Sequence, residues 1–127
     1  MGGKRAVVTG ATSFLGGATV NALLARDYEV VAVVRPGSLH LERLPEDDDR
    51  LWYVPLKLKD YDKLERHIAR SDVWYHFAWD GTTPEGRNDP DVQAENVRHA
   101  YEALTAAAHM GVKRVVCAGS QAVYGVH

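Results

Sequence analysis

The sequence is poor in several features that define whole classes of protein. Its 127 residues include one cysteine, Cys117, which excludes an internal disulfide framework and a multi-cysteine zinc site. The histidines show no H-E-x-x-H or other ligand spacing, so no metal site is predicted. The longest strongly apolar run, residues 30–34, falls far short of the about twenty residues that a membrane-spanning helix needs.

A surplus of charge of either sign is also missing. The chain has 15 Lys plus Arg against 17 Asp plus Glu, for a formal net charge of −2. Proteins that bind duplex nucleic acid use a basic surplus to neutralise phosphates, so no nucleic-acid partner is expected. The first residues lead into a strand without the apolar segment of a signal peptide, and no membrane partner is expected. The expected location is the cytoplasm, because a lone cysteine suits a reducing compartment.

Length and composition are those of one globular domain spanning residues 1–127, with 46% hydrophobic and 25% charged residues. Short apolar runs alternate with segments of helical periodicity, and Asp60 and Asp89 are predicted to cap the second and third helices. This order predicts an α/β fold with a doubly wound parallel sheet of about five strands, the Rossmann fold. The predicted strands are residues 5–9, 29–34, 51–56, 73–78 and 112–118, and the helices are residues 14–26, 60–70 and 90 to about 111.

A glycine-rich turn, residues 9–17 (T-G-A-T-S-F-L-G-G), joins the first strand to the first helix. Gly10 would permit a tight turn and Gly16 close helix packing, while N–H groups at the helix start face a pyrophosphate. Ser13 replaces the middle glycine of the usual pattern and is expected to donate a hydrogen bond to phosphate. The alternative is a plain turn that happens to contain glycines. The favoured binding interpretation assigns cofactor contacts to Gly10, Thr12, Ser13, Phe14, Leu15 and Gly16.

Arg35 stands at the end of the second strand, where a dinucleotide-binding fold carries an acidic residue for the ribose 2′-hydroxyl. A carboxylate repels a 2′-phosphate, whereas a guanidinium pairs with it through two hydrogen bonds. Arg35 therefore favours NADP over NAD as the cofactor, with Ser38 as a second contact. The alternatives are NAD as cofactor and a solvated arginine at a strand end.

Four blocks of sequence occur in a familiar order across nearly the whole chain. They are T-G-A-T-S-F-L-G-G at residues 9–17, D-V-W-Y-H-F-A at 72–78, E-N-V-R-H-A at 95–100 and G-V-K-R-V-V-C-A-G-S-Q-A-V-Y-G at 111–125. With these blocks the chain resembles the extended short-chain dehydrogenases/reductases. More narrowly, it is similar to the NAD-dependent epimerase/dehydratase family and its relatives, the dihydroflavonol-type reductases.

The resemblance implies which residues line the dinucleotide groove outside the glycine-rich turn. Phe77, Ala78 and Trp79 follow the family's H-x-A strand end, which lies beside the cofactor. After the third strand the family usually has an aspartate that touches adenine. Lys57 stands at that position here, with Leu58 next to it as the expected contact.

The resemblance also implies two residues near the chemistry. Asn96 matches a helix asparagine close to the nicotinamide half of the site, and Ser120 matches the active-site serine that orients the substrate oxygen. The family further uses a Tyr-x-x-x-Lys pair on a helix, expected about 20–30 residues past Ser120 and so outside this sequence. The string Y-V-P-L-K at residues 53–57 has that spacing, but it lies in a strand that contains proline and is interpreted as a coincidence.

The chain is therefore expected to be the NAD(P)-binding part of a larger oxidoreductase, epimerase or dehydratase, and to be inactive alone. The expected reaction is hydride transfer on a carbonyl or alcohol substrate such as a nucleotide sugar. The alternatives are a non-catalytic NADP(H)-binding or sensing module, and a scaffold that binds no cofactor. The resemblance implies a homodimer packed through helices that include residues 91–109. The isolated chain is predicted to self-associate through its fifth strand, whose edge has no neighbour.

Overall fold

The computed structural model describes residues 4–37, 40–79 and 88–117, and these form a parallel sheet of five strands with helices. The strand order is β3-β2-β1-β4-β5, so the chain crosses from one side of β1 to the other between β3 and β4. This order is that of a doubly wound α/β sheet, which confirms the predicted fold class. The strands are β1 (Arg5–Thr9), β2 (Glu29–Val34), β3 (Leu51–Pro55), β4 (Val73–His76) and β5 (Arg114–Cys117).

The central strand β1 divides the hydrophobic core into two layers, because successive side chains of a strand point to opposite faces. Val7 packs on one side of the sheet with Val33 and Trp74. Val8 packs on the other side with Val20 and Ala32. Both faces of β1 and β2 are buried, as expected for parallel strands covered by helices on either side.

Two helices match the prediction closely. Helix α1 (Phe14–Ala25) begins after Ser13, whose hydroxyl accepts a hydrogen bond from the backbone N–H of Gly16. The long helix near the end, α3 (Pro90–His109), begins after Asp89, whose carboxylate accepts from two backbone N–H groups of the first turn. Side-chain acceptors at these positions satisfy N–H groups that lack an acceptor within the helix.

The predicted helix at residues 60–70 is α-helical only in part, and its predicted start is wrong. Residues Leu58–Lys63 form a 3₁₀ helix, which is followed by the short helix α2 (Leu64–His67). Asp60 lies inside the 3₁₀ helix and forms an ion pair with Lys63 instead of capping a helix start. The buried side chains Leu58, Tyr61 and Leu64 are spaced by three residues, and this spacing suits the three residues per turn of a 3₁₀ helix.

The sheet ends also differ slightly from the prediction. Strand β4 stops at His76 instead of continuing to residue 78, and β5 begins at Arg114 because the N–H of Val112 bonds the end of α3 at Ala107. In the described ranges, no helix is both long and apolar enough to cross a membrane.

Candidate functional site

A cleft of about 540 Å³ opens where β1, β2 and β4 end, which is the edge at which doubly wound sheets bind ligands. Its walls come from the glycine-rich turn, the segment after β2, the 3₁₀ helix after β3 and the segment after β4. The lining residues are Gly10, Thr12, Ser13, Val33, Arg35, Gly37, His40, Arg43, Leu56, Leu58, Tyr61, Phe77, Ala78 and Trp79.

Two glycines of the turn occupy positions that no other residue fits. Gly10 has a φ of +65°, and a Cβ atom there would lie 2.7 Å from the backbone N of Ala78. A Cβ atom on Gly16 would lie 2.0 Å from the carbonyl oxygen of Gly10. The turn is therefore packed directly against both the end of β4 and the start of α1, which matches the roles of the first and third glycines in a dinucleotide-binding turn.

The hydroxyl of Ser13 forms its hydrogen bonds within the glycine-rich turn. Its hydroxyl donates to the carbonyl oxygen of Gly10 at 2.7 Å and accepts from the N–H of Gly16 at 3.0 Å. Its hydrogen is therefore engaged within the turn, and in this geometry the side chain does not offer the expected donor to a phosphate. The side chains of Phe14 and Leu15 are 82% and 50% exposed and do not line the cleft, so only their backbone N–H groups, at the start of α1, fit a phosphate-binding role.

Three basic side chains line the cleft beside the end of β2. Arg35 directly follows the strand, and His40 and Arg43 come from the next segment, which contains a short 3₁₀ helix (Leu41–Arg43). The guanidinium of Arg43 donates to the carbonyl oxygen of Thr12 at 2.9 Å, which ties this segment to the glycine-rich turn. The sequence did not reveal His40 or Arg43, because no periodicity or motif marks the segment. Ser38 lies outside the described residues.

Another part of the cleft lining is largely apolar. Val33 and Leu56 form it with Leu58 and Tyr61, both of which are almost fully buried. Leu58, the expected adenine contact, lines the cleft, whereas Lys57 does not. The apolar surface suits a flat aromatic base, since it offers packing area without a charged partner.

Thr9, at the end of β1, joins the two strands beneath the cleft. Its hydroxyl oxygen accepts from the N–H groups of Phe77 and Ala78 at 3.1 and 3.3 Å, and it lies 2.8 Å from Nδ1 of His76. Because both lone pairs of the oxygen are used, we assign its hydrogen to Nδ1, which leaves the ring proton of His76 on Nε2. The network fixes the backbone that touches Gly10, and no sequence motif revealed it.

His76 is neutral in this network. Burial, the larger cause, and the neighbouring His99 together lower its pKa from 6.5 to about 4. Among the residues that the structure describes, the buried Nε2 atom of His76 has no hydrogen-bond partner. Within the described ranges no group of three or more His, Cys, Asp or Glu side chains could hold a metal ion, so His76 has no companions for such a role.

Asn96 and Trp79 are connected through a shared hydrogen-bond acceptor. Trp79 lines the cleft, whereas Asn96 is 1% exposed and lies behind it in α3. The amide oxygen of Gln93 accepts from the indole N–H of Trp79 at 3.1 Å and from the amide of Asn96 at 3.3 Å. Asn96 thus connects to the cleft through Gln93, which sequence reasoning missed. Ser120 lies outside the described residues.

A doubly wound parallel sheet with a glycine-rich turn at its first strand–helix junction defines the class of dinucleotide-binding domains. The chain belongs to the NAD dependent epimerase/dehydratase family, whose model matches residues 6–127. This match confirms the resemblance drawn from the four sequence blocks.

The chain is similar in sequence and structure to reductases and epimerases. Cinnamoyl-CoA reductase 1 of Arabidopsis thaliana is 36% identical over 123 residues, which are 93% of this chain and 34% of that protein. A crystal structure of UDP-galactose 4-epimerase is 33% identical with a TM-score of 0.80, over 95% of this chain and 40% of that one. The structure of UDP-N-acetylglucosamine 4-epimerase from Methanobrevibacter ruminantium M1 is 26% identical with a TM-score of 0.81. The match covers 100% of this chain and 41% of that one. The chain thus spans about a third of the curated relative's length.

Proposed function

We propose that the chain is the NAD(P)-binding portion of an oxidoreductase, epimerase or dehydratase that acts by hydride transfer on a carbonyl or alcohol substrate. The observation that carries the proposal is the packing at Gly10 and Gly16, where any Cβ would overlap backbone atoms. The names of the relatives, a reductase and two sugar-nucleotide epimerases, support the reaction class and make a nucleotide sugar one candidate small-molecule substrate.

The residues of the cleft fit a dinucleotide in three parts. The backbone N–H groups at the start of α1 suit the pyrophosphate, and the apolar wall with Leu58 suits the adenine ring. Phe77, Ala78 and Trp79 would flank the other end, which receives the nicotinamide. When bound, the nicotinamide supplies the hydride acceptor or donor, and the protein orients it and excludes water. Ser120 is proposed to orient the substrate oxygen.

NADP is the proposed cofactor in preference to NAD. Arg35 and Arg43 bring two guanidinium groups to the part of the cleft that follows β2, which His40 also lines and where the adenosine ribose would lie. A 2′-phosphate would gain charge-assisted hydrogen bonds from such a cluster, while the 2′-hydroxyl of NAD would gain less.

Calorimetric titration of the chain with NADPH and with NADH tests both proposals. Wild-type protein is expected to bind NADPH more tightly, and Arg35→Ala to weaken NADPH by roughly 10–100-fold with little effect on NADH. Arg26→Ala is the matched control, because Arg26 is exposed at the opposite end of α1 and lies outside the cleft.

Equal affinity of the wild type for both cofactors would refute the NADP preference alone. Failure of a folded chain to bind either cofactor would refute the dinucleotide site and favour a scaffold.

We also propose that residues 1–127 form one domain that associates as a homodimer through α3, in a cytoplasmic protein. Val97, Tyr101 and Leu104 are exposed on α3 at helical spacing, and the side chain of Tyr101 is 69% accessible. Apolar residues three and four positions apart form a continuous stripe on a helix, which a second copy of α3 would cover.

A further inference from the structure

Gln93 joins a buried residue of α3 to an exposed ring of the cleft. Its side-chain oxygen accepts the indole N–H of Trp79 and the amide N–H of Asn96, at 3.1 and 3.3 Å. The two donors belong to different elements, since Trp79 follows β4 and Asn96 lies one turn further along α3. One acceptor atom therefore connects the cleft wall to the helix behind it.

The ring of Trp79 depends on this bond for its orientation. It is 43% exposed, so packing covers only part of the indole, and an indole has a single hydrogen-bond donor. A partner on that donor selects one rotamer of the ring. Without a partner, a side chain with this exposure exchanges between rotamers on a short time scale.

The other end of the connection is rigid. Asn96 is 1% exposed within α3, whose start is fixed by the Asp89 cap. Its amide donates to Gln93 from this buried position, where competition from water is small. The bond from Asn96 therefore restricts the conformation of the Gln93 side chain, and the bond from Trp79 to Gln93 restricts the indole in turn.

We propose that Gln93 is a positioning residue, which holds the Trp79 ring along the cleft wall so that it packs against the bound dinucleotide. The inference rests on the proposed cofactor function and adds a residue that lines no part of the cleft itself. Trp79 lines the cleft next to Ala78, whose backbone packs against Gly10 of the glycine-rich turn.

Two substitutions at Gln93 separate the acceptor from the bulk of the side chain. Gln93→Met keeps the length and removes the acceptor, whereas Gln93→Glu keeps an acceptor oxygen. Thr105→Val is the matched control, since among the described residues the Thr105 hydroxyl on the same helix donates to the carbonyl oxygen of Tyr101 and to no part of the Gln93 connection. Circular-dichroism melting establishes that each variant is folded.

The first measurement needs no cofactor. Acrylamide quenching of tryptophan fluorescence, taken as the difference between each protein and its Trp79→Phe counterpart, isolates Trp79 from the other tryptophans. Gln93→Met is expected to raise the quenching of Trp79, while Gln93→Glu and Thr105→Val leave it near the wild-type value. Unchanged quenching in Gln93→Met would overturn the inference.

The second measurement is the affinity for NADPH. Gln93→Met is expected to weaken binding about two- to tenfold, with recovery in Gln93→Glu and no change in Thr105→Val. Trp79→Phe, which removes the donor without disturbing Gln93 packing, is expected to weaken binding too. Adding Gln93→Met to Trp79→Phe should cause little further loss of affinity, because the effects of substitutions at two coupled residues do not add.

Full additivity of the two substitutions, or wild-type affinity in Gln93→Met, would overturn the positioning role. Failure of the wild type to bind NADPH or NADH would instead overturn the proposed function. The quenching measured without cofactor distinguishes that failure from a failure of the Gln93 contact.

Discussion

Strands β1 and β5 have similar sequences and opposite environments. The run R-A-V-V-T of β1 is almost wholly buried, whereas all four residues of R-V-V-C in β5 are exposed. β1 pairs with β2 and β4, while β5 pairs only with β4 among the described strands. A β-branched run therefore predicts a strand, but its place in the sheet order decides how deeply the strand is buried.

The contrast extends along one row of the sheet. Thr9, His76 and Cys117 are aligned across β1, β4 and β5, and exposure rises from 0% at Thr9 to 4% at His76 and to an exposed thiol at Cys117. The candidate site lies at the buried end of this row, where polar groups have fixed partners. The exposed end offers backbone groups to a further strand.

The largest effect is expected from Gly10→Ala at the end of β1. The positive φ costs about 1–2 kcal/mol for any L side chain, and overlap with the backbone of Ala78 adds roughly 1–3 kcal/mol. Dinucleotide binding or cooperative folding is expected to be lost, as calorimetry and urea denaturation would measure.

Gly111→Ala is the matched control for this change, because Gly111 has a φ of +71° and no atom of the described residues lies within 4 Å of its Cβ position. Gly111→Ala should lower the free energy of unfolding only by the cost of a positive φ, without the cost of atomic overlap. Equal effects of the two substitutions would show that the close approach at Gly10 is unimportant.

A smaller effect is expected from pH acting on His76. Its pKa is about 4 in the folded chain against 6.5 without burial, so the unfolded chain binds more protons between those values. The free energy of unfolding should therefore fall as pH is lowered from about 6.5 to 4, by about 3 kcal/mol from this group. Urea denaturation across that range measures the slope.

His76→Asn should flatten the slope, whereas His67→Asn, at an exposed position of α2, should leave it unchanged. An unaltered slope in His76→Asn would mean that another group governs the loss of stability in acid.

The smallest effect is expected at the exposed end of the row. Val116→Lys on β5 should weaken self-association of the chain about fivefold, because lysines facing each other across paired edges repel. Light scattering over a concentration series measures the change. A clean monomer of the wild type at high concentration would refute the edge contact, and dissociation by Tyr101→Lys instead would support the α3 interface.

The sequence predicted those parts of the molecule that depend on local chemistry. The glycine-rich turn, the cap at Asp89 and the β-branched strands each act through residues adjacent in sequence, and they are enough to specify the doubly wound sheet. Phe77 and Ala78 came from the family resemblance, and they do line the cleft.

The remaining features depend on contacts between distant segments. The 3₁₀ helix at Leu58–Lys63 follows from three side chains that must face the core, and Asp60 alone wrongly indicated a helix start. His40, Arg43 and Gln93 enter the site because their segments pack beside the turn or the end of β4. No spacing in the sequence carries that information.

The bond between Arg43 and the carbonyl of Thr12 has a consequence for any redesign of the proposed cofactor preference. Arg43 contributes charge to the cleft and also holds the glycine-rich turn to the segment after β2. An exchange at Arg43 would alter selectivity and the architecture of the turn together, so the two effects could not be read apart. A designer who wishes to convert the site to the other dinucleotide should therefore start from Arg35 and retain Arg43.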